Sequence, residues 1–306
     1  MKKLLSILIF LLLVGGLFSD NLEQATIVRK SEVNQHHLFF ETPNGLLSVY
    51  QANPRGYYQI YVQLYSETGE PQWGEYGLTT DDNYVHHGKP FAIQTSENAL
   101  IIVWIENEIG DQYPTQFYPY HSRAQKMNYN GERIWGDSGI IIPESATGDN
   151  YLKIYPDGEN GFYFANSAYP YQNFNLRHID KNGNLLNDVN LDIANGYKVL
   201  DLQTNPQKQI IVTFETNTDG WYRHYFMKIF DQYGELLCPQ ILVGFALDMN
   251  LFENIPIGSE SVYSFSNNGW NHIEVKAVDM YGQPVMDLPY KRIYAGSFPV
   301  TAMKVT

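Results

Sequence analysis

Apolar and polar residues alternate along short runs of this 306-residue chain, and turn-forming residues separate the runs. In 58–64, Ile60, Val62 and Leu64 share one parity, whereas 210–214 is apolar almost throughout. A period of two is typical of a strand with one buried face, and a short apolar run suits a strand buried on both. No stretch after the N-terminal segment sustains a 3.6-residue apolar period. The pattern therefore predicts an all-β protein with almost no helix.

One hairpin turn recurs five times and divides the chain into similar units. Each copy has an apolar residue, then Asp, Asn or Ser, two free positions and Gly. The first side chain can bond the backbone two residues on, and the glycine suits the positive φ of a bulged hairpin. A repeat of this length indicates repeated supersecondary units. The copies begin at Ser66, Asn128, Asp180, Asp231 and Asp279 and end at Gly69, Gly131, Gly183, Gly234 and Gly282.

Each unit contains four short predicted strands, and runs such as 132–135 are expected to continue as strands after the turn. Four antiparallel strands in every repeat are the sequence form of a β-propeller, with one blade per unit. A β-sandwich and a solenoid are the alternatives, but a sandwich does not predict the recurrence of one hairpin. We therefore expect one propeller domain over 20–306. Its blades span about 37–80, 90–143, 151–193, 198–243 and 251–293.

The first two units also share a longer motif. Residues 73–78 and 135–140 both read Trp-Gly-x-x-Gly followed by an apolar residue, and units three to five lack the Trp-Gly pair. The stretch 125–139 resembles repeats of secreted bacterial propeller-like proteins, in which an apolar-Asp-x-x-Gly hairpin leads to Trp-Gly-x-x-Gly. The resemblance implies a propeller architecture and export, and it implies no specific activity.

The two ends of the chain supply strand-like segments without a blade of their own. Residues 25–30 precede the first unit as a fourth strand would, and 298–306 follow the fifth as a first strand would. A closed ring has no free sheet edge, so we expect these segments to meet and close five blades. A sixth, partial blade built from both termini is the alternative.

The N-terminus has the pattern of a secretory signal peptide. Lys2 and Lys3 precede an apolar run over 4–18, and small residues follow near 19. An uncleaved anchor is the alternative, but the run is short for a membrane span and no later segment could cross one. We expect a signal peptide over 1–19 and a secreted, periplasmic or cell-surface protein. Cys238, the single cysteine, lies too far along for lipoprotein anchoring and is expected to be buried and inert.

Charge narrows the range of partners. Without residues 1–19 the chain has 18 Lys and Arg against 33 Asp and Glu, a net charge near −15. Nucleic acid is therefore not expected as a partner, because phosphate binding needs basic surface. The acidic excess serves solubility, and we expect a monomer.

Aromatic residues collect in the loops between the second and third strands of every unit. Such rings, with Arg and Asn neighbours, suit carbohydrate or an extended peptide, although they could instead cap the blade interfaces. The long loop predicted over 106–122 is the main candidate for recognition, since loops of that length are usually functional or disordered. The predicted ligand-binding residues are Tyr57, Tyr58, Tyr113, Tyr118, Tyr120, Tyr171, Trp221, Tyr222 and Trp270.

No metal or cofactor site is expected from the spacing of possible ligands. His86, His87 and His121 are interpreted as solvated loop histidines on the aromatic face, because two adjacent histidines cannot easily share one metal. Asp180 opens a segment that faintly resembles a calcium loop, but it lacks the 12-residue frame and the closing Glu. Its position matches the other four turns, and so we interpret it as a turn.

Catalysis is the weaker of the functional hypotheses. A propeller glycoside hydrolase would need paired carboxylates at the central channel, where Asp201 and Glu253 are candidates, with Glu41 beyond the end of its strand. No Gly-rich phosphate loop and no Gly-x-Ser-x-Gly motif occurs. We therefore expect a non-catalytic binding or scaffold module. The alternatives are that glycoside hydrolase and a purely structural surface protein.

Overall fold

The computed structural model describes eleven ranges of the chain. Every regular element within them is a β-strand, so no membrane-crossing helix occurs there. The ranges are 35–83, 85–107, 120–142, 152–168, 173–193, 196–217, 223–246, 252–257, 261–267, 272–285 and 291–294. The predicted signal peptide and the two terminal segments lie outside these residues.

Four of the five sheets in these ranges are antiparallel and four-stranded, and their strands neighbour one another in chain order. The first sheet consists of β1 (Gln35–Thr42), β2 (Gly45–Ala52), β3 (Gln59–Tyr65) and β4 (Leu78–Thr79). The third consists of β10 (Leu152–Pro156), β11 (Phe162–Ala168), β12 (Asn173–Ile179) and β13 (Leu185–Asn190). The fourth consists of β14 (Gly196–Thr204), β15 (Ile210–Asn217), β16 (Arg223–Phe230) and β17 (Leu236–Ala246). The fifth consists of β18 (Phe252–Ile257), β19 (Ser261–Asn267), β20 (His272–Asp279) and β21 (Lys291–Tyr294).

The second sheet has a divided first strand. Two short strands pair one after the other with the same long strand, Ala99–Asn107, the first opposite Glu106 and Asn107 and the second opposite 100–103. Its strands are β5 (His86–His87), β6 (Phe91–Gln94), β7 (Ala99–Asn107), β8 (Tyr120–Asn128) and β9 (Ile140–Ile142).

These bounds correct the predicted loop over 106–122. The ladder between β7 and β8 continues to Glu106↔His121 and Asn107↔Tyr120, because both backbones remain extended and paired there. His86 and His87, predicted in a loop connection, form β5. Residues 106–107 and 120–122 therefore do not belong to the predicted loop, and the remainder, 108–119, lies outside the described residues.

The recurrent hairpin turn forms as predicted in all five sheets. In each copy the glycine has φ between 84° and 88°, and its N–H donates to the carbonyl three residues before it. The leading Asp or Asn accepts two backbone N–H groups; Asp180 Oδ1, for example, accepts from Asn182 and Asn184 at 2.8 Å each. Asp180 therefore opens a turn like the other four.

The Trp-Gly-x-x-Gly segments are turns, and the prediction that 132–135 continues as a strand is wrong. Gly136 and Gly139 have φ of 77° and 66°, which end the extended conformation. A buried glutamine supports each segment: Gln125 accepts from Trp135 N at 3.1 Å and donates to Gly136 O at 2.7 Å. Gln63 makes the same pair of bonds with the Trp73 segment. Units three to five, which lack Trp-Gly, have Arg177, Lys228 and Lys276 at the glutamine's position.

Apolar side chains fill the space between successive sheets, and the inner strands bury both faces. In β7, even-numbered residues pack against the first sheet and odd-numbered residues against the third. On the first side lie Leu100, Ile102 and Trp104, and on the other lie Ile101, Val103 and Ile105. Similar clusters join the third sheet to the fourth and the fourth to the fifth.

The sheets follow one another in space in chain order. The first strands form a series of contacts, from β1 to β6, β6 to β10, β10 to β14 and β14 to β18. The recurrent turns of the second to fifth sheets also meet the outer part of the preceding sheet; a Cβ on Gly234 would lie 2.4 Å from Val189 Cγ2. In these four turns the glycine therefore combines a positive φ with a close approach between sheets.

Candidate functional site

Only part of the predicted aromatic face lies within the described residues. Tyr57 and Tyr58 are half-buried in the β2–β3 connection, and Tyr120 begins β8. Tyr58 joins two sheets, because its N–H donates to His86 Nδ1 at 3.2 Å and its carbonyl accepts from His87 N at 2.8 Å. Tyr113, Tyr118, Tyr171, Trp221, Tyr222 and Trp270 lie outside the described residues.

An open cleft of about 730 Å³ lies between the outer parts of the first and second sheets. Its aromatic lining is Tyr61 of β3 together with Trp73 and Tyr76 of the first Trp-Gly segment. The sequence marked that segment as a repeat, but it did not indicate that the segment lines a cleft. The charged lining consists of Arg55, Glu75, Arg133 and Asp137.

Hydrogen bonds hold the cleft walls in place. Arg133 donates to Thr79 Oγ1 at 2.8 Å and pairs with Asp82 at 2.9 Å, so its guanidinium is fixed against the first sheet. The Tyr50 hydroxyl donates to the carbonyl of Tyr76 at 2.6 Å. The Glu75 carboxylate beside Tyr76 raises the pKa of that phenol. The walls therefore combine aromatic faces with hydrogen-bonding groups of positive and of negative charge.

A second group of polar side chains is buried near the cleft, where the β4–β5 connection crosses to the second sheet. Asp81, His87 and Glu106 are exposed by only 1%, 2% and 2%, and their ligand atoms lie within 4.8 Å of one another. His87 Nε2 is 3.5 Å from Asp81 Oδ2 and 3.5 Å from Glu106 Oε1. The prediction that the histidines are solvated is therefore wrong for His87.

The strand register brings this cluster together. His87 pairs with Glu106, and Glu106 pairs with His121, so the three side chains share the face of the second sheet that meets the first. Hydrogen bonds from Gln51 Nε2 to the His87 carbonyl, at 2.5 Å, and from His87 N to Tyr58 attach β5 to the first sheet.

The environment shifts the pKa values of the two buried carboxylates in opposite directions. Burial raises the pKa of Asp81 to about 6. Burial also acts to raise the pKa of Glu106, but hydrogen bonds from His121 at 2.7 Å and Arg123 at 2.8 Å, with His87 nearby, hold it well below its usual range. Glu106 therefore remains ionised to a lower pH than Asp81 does.

The carboxylates predicted for a glycoside hydrolase are in different situations. Asp201 on β14 is half-buried and accepts from Leu202 N and Gln203 Nε2, each at 3.0 Å. Glu41 is exposed at the end of β1. Glu253 belongs to β18, and its side chain lies outside the described residues.

Cys238 is buried in β17, as predicted, with no exposed surface. Burial, with a smaller contribution from Asp279, raises the pKa of its thiol to about 11. A thiol held in the protonated form is a poor nucleophile.

Comparison with known proteins gives similarity in fold alone. No protein-family model and no curated protein matches the chain. A protein of unknown function from Dyadobacter fermentans is 10% identical, with 85% of this chain and 82% of that one covered and a TM-score of 0.53. A eukaryotic initiation factor (10% identity, 85% and 55% covered) and an exo-β-1,3-galactanase from Clostridium thermocellum (8%, 85% and 62%) have TM-scores of 0.48 and 0.46. The chain thus spans less than two thirds of the length of those two proteins.

Proposed function

We propose that the protein is an exported, five-bladed β-propeller that binds carbohydrate without catalysis. The repeated four-stranded sheets and the consecutive contacts of their first strands support the propeller. In this arrangement the segments 25–30 and 298–306 close the ring between the fifth and first blades. The apolar run over 4–18 and the resemblance to secreted bacterial propeller-like repeats support export.

The cleft between the first and second sheets is the observation that carries the binding function. A sugar ring has flat apolar faces and a rim of hydroxyl groups. Trp73 and Tyr76 offer aromatic faces for the former, and Arg55, Glu75 and Asp137 offer donors and acceptors for the latter. Arg55 belongs to the β2–β3 connection, so the cleft adjoins Tyr57 and Tyr58 of the predicted aromatic face. We propose that this face extends the site.

Hydrolysis is the second candidate function, because the cleft contains two carboxylates, Glu75 and Asp137. Both are exposed, whereas a general acid that works near neutral pH needs an environment that disfavours its charge. Asp81 and Glu106 have unlike environments but are buried from any glycosidic oxygen. We therefore favour binding, and expect no release of reducing ends from glycans that bind.

A glycan array followed by calorimetric titration of the best ligand tests the proposal. Trp73→Ala removes the largest aromatic wall, and we expect it to weaken binding at least about 10-fold, since an aromatic contact contributes on the order of 1 kcal/mol beyond its area. Arg55→Ala, at an exposed position, should also weaken binding. Trp135→Ala is the matched control, because it removes the equivalent tryptophan of the next repeat, which does not line the cleft.

Two results would contradict this function. One is the absence of any bound glycan, and another is equal affinity in Trp73→Ala and Trp135→Ala. Binding on a peptide array alone would replace carbohydrate with peptide as the ligand. Failure on both arrays would favour a purely structural surface protein.

A further inference from the structure

Three buried side chains, each with one possible metal ligand, converge between the first and second sheets. Asp81 and Glu106 contribute carboxylate oxygens and His87 contributes Nε2, all within 4.8 Å of one another. Zinc binds this mixture of imidazole and carboxylate ligands. The donor set is therefore complete for a site with three protein ligands.

Several polar atoms in this cluster lack a hydrogen-bond partner among the described residues. They are both ring nitrogens of His87, Asp81 Oδ1 and the nearby Trp104 Nε1. Buried polar atoms are normally paired, and leaving one unpaired is costly. His87 is fully enclosed and directs Nε2 towards both carboxylates, so the unpaired atom points into the cluster.

The spacing differs from that of an internal ion pair. In the same cluster, Glu106 Oε2 lies 2.7 Å from His121 Nε2 and 2.8 Å from Arg123 Nε, which are lengths of charge-assisted hydrogen bonds. His87 Nε2 stands 3.5 Å from both acids. Ligands about 2.1 Å from a tetrahedral zinc stand about 3.4 Å apart, so the latter spacing fits a shared cation.

The surrounding groups orient the possible ligands. The Asn83 amide donates to Asp81 Oδ2 at 3.0 Å and to Glu106 Oε1 at 3.2 Å. Arg123 and His121 bind the other oxygen of Glu106, which leaves Oε1 directed at His87. Such outer partners fix the geometry of metal ligands.

We propose that Asp81, His87 and Glu106 bind one divalent transition-metal ion, represented by zinc, with water as the fourth ligand. The ion would join the β4–β5 connection to β7 and so fasten the first sheet to the second. This site is separate from the carbohydrate cleft, and the proposal does not depend on the function proposed there.

Zinc titration of the purified chain, freed of metal by a chelator and made without a histidine tag, tests the proposal. We expect one equivalent to bind and the thermal midpoint to rise with zinc concentration, because the ion binds only the folded state. Cobalt as a substitute should give the visible absorption of a four-coordinate site. Zinc-edge X-ray absorption of the unmodified protein should show one imidazole and oxygen ligands.

Two variants locate the site. His87→Gln and Asp81→Asn preserve side-chain size and should weaken zinc binding by at least about 100-fold, given that outer partners alone contribute 10- to 100-fold. His178→Gln is the control, because His178 pairs with the single carboxylate of Asp157 at 2.9 Å and should leave zinc binding unchanged. If the cluster variants do not fold, the zinc-edge X-ray absorption spectrum of the unmodified protein decides whether the site binds zinc.

Three results would overturn the site. The first is a lack of stoichiometric zinc binding by the unmodified protein, and the second is a zinc-edge X-ray absorption spectrum without an imidazole ligand. The third is zinc binding that is equally affected by His178→Gln and His87→Gln.

Discussion

The turn glycines allow the close approach of neighbouring sheets to be measured separately from backbone strain. Gly69 and Gly234 occupy the same position of the same turn, with φ of 84° and 85°. A Cβ on Gly69 meets nothing within 4 Å, whereas one on Gly234 would lie 2.4 Å from Val189 Cγ2. Alanine at either position therefore imposes the same strain, and only Gly234→Ala adds a steric conflict with the preceding sheet.

The expected magnitudes follow from these two terms. A left-handed conformation costs alanine roughly 1–2 kcal/mol, and the smaller entropy of the alanine variant's unfolded chain offsets part of this cost. Gly69→Ala should therefore lower the free energy of unfolding by about 1 kcal/mol. Val189 is β-branched and cannot easily turn its methyl away. Overpacking of this kind costs about 1–3 kcal/mol, so Gly234→Ala should lose about 2–4 kcal/mol.

Urea unfolding followed by tryptophan fluorescence measures both free energies, and a double-mutant cycle isolates the contact. Val189→Ala in the Gly234→Ala background removes the obstructing methyl and should recover about 1–3 kcal/mol of coupling. Equal losses in Gly69→Ala and Gly234→Ala, or a coupling of zero with Val189, would refute the close approach.

Three further predictions concern other buried polar groups. Burial acts to raise the pKa of Asp157, but hydrogen bonds from His178 and two backbone N–H groups lower it in the folded protein. The ionised carboxylate therefore stabilises the fold above about pH 4, and this contribution is lost as pH falls through the folded-state pKa. In urea titrations Asp157→Asn should lose less stability between about pH 6 and pH 3 than the unmodified protein does, and an equal loss would exclude this role of Asp157. Gln125→Met should cost about 1–3 kcal/mol in urea unfolding, because Trp135 N and Gly136 O lose their partner; an unchanged midpoint would show that water replaces the glutamine. Cys238 should react with a thiol reagent only at the rate of unfolding, and rapid labelling of the native protein would contradict its burial.

The features that sequence alone predicted are those with local causes. The turn at Asp180 depends on a carboxylate that accepts N–H groups two and four residues on and on Gly183 at positive φ, all within five residues. Four strands per repeat follow from apolar runs between such turns. The hydrogen bonds that form such a turn lie within the segment itself, so its local pattern is enough to predict it.

The buried cluster depends on register, which the sequence does not encode locally. Asp81, His87 and Glu106 are separated by 6 and 19 residues and match no metal-ligand spacing. One signal was available in β7: Leu100, Ile102 and Trp104 share a parity that continues to Glu106, which predicts an inward-facing acid. The adjacent histidines gave no comparable signal, because alternation in β5 buries His87 and leaves His86 half-buried beside Tyr58.

The Trp-Gly segments were misread for a related reason. Residues 132–135 have the composition of a strand, but they pair with the backbone of β8 only through one bridge, Met127↔Arg133, and beyond it the amide of buried Gln125 binds the segment. The side chain of Gln125, ten residues before Trp135, therefore takes the place of backbone hydrogen bonds from a neighbouring strand. The basic residues at that position in units three to five accompany the loss of the motif.

Closure of the five sheets into a ring is the central claim, and distances between the recurrent turns test it most directly. Spin labels at exposed turn positions of a Cys238→Ala protein give three pairs: Thr68→Cys with Tyr281→Cys, Asn130→Cys with Asn182→Cys, and Thr68→Cys with Asn182→Cys. In a closed five-membered ring the first and fifth turns are neighbours. The first pair should therefore match the second and be shorter than the third. A first-pair distance longer than the third would contradict the closed propeller.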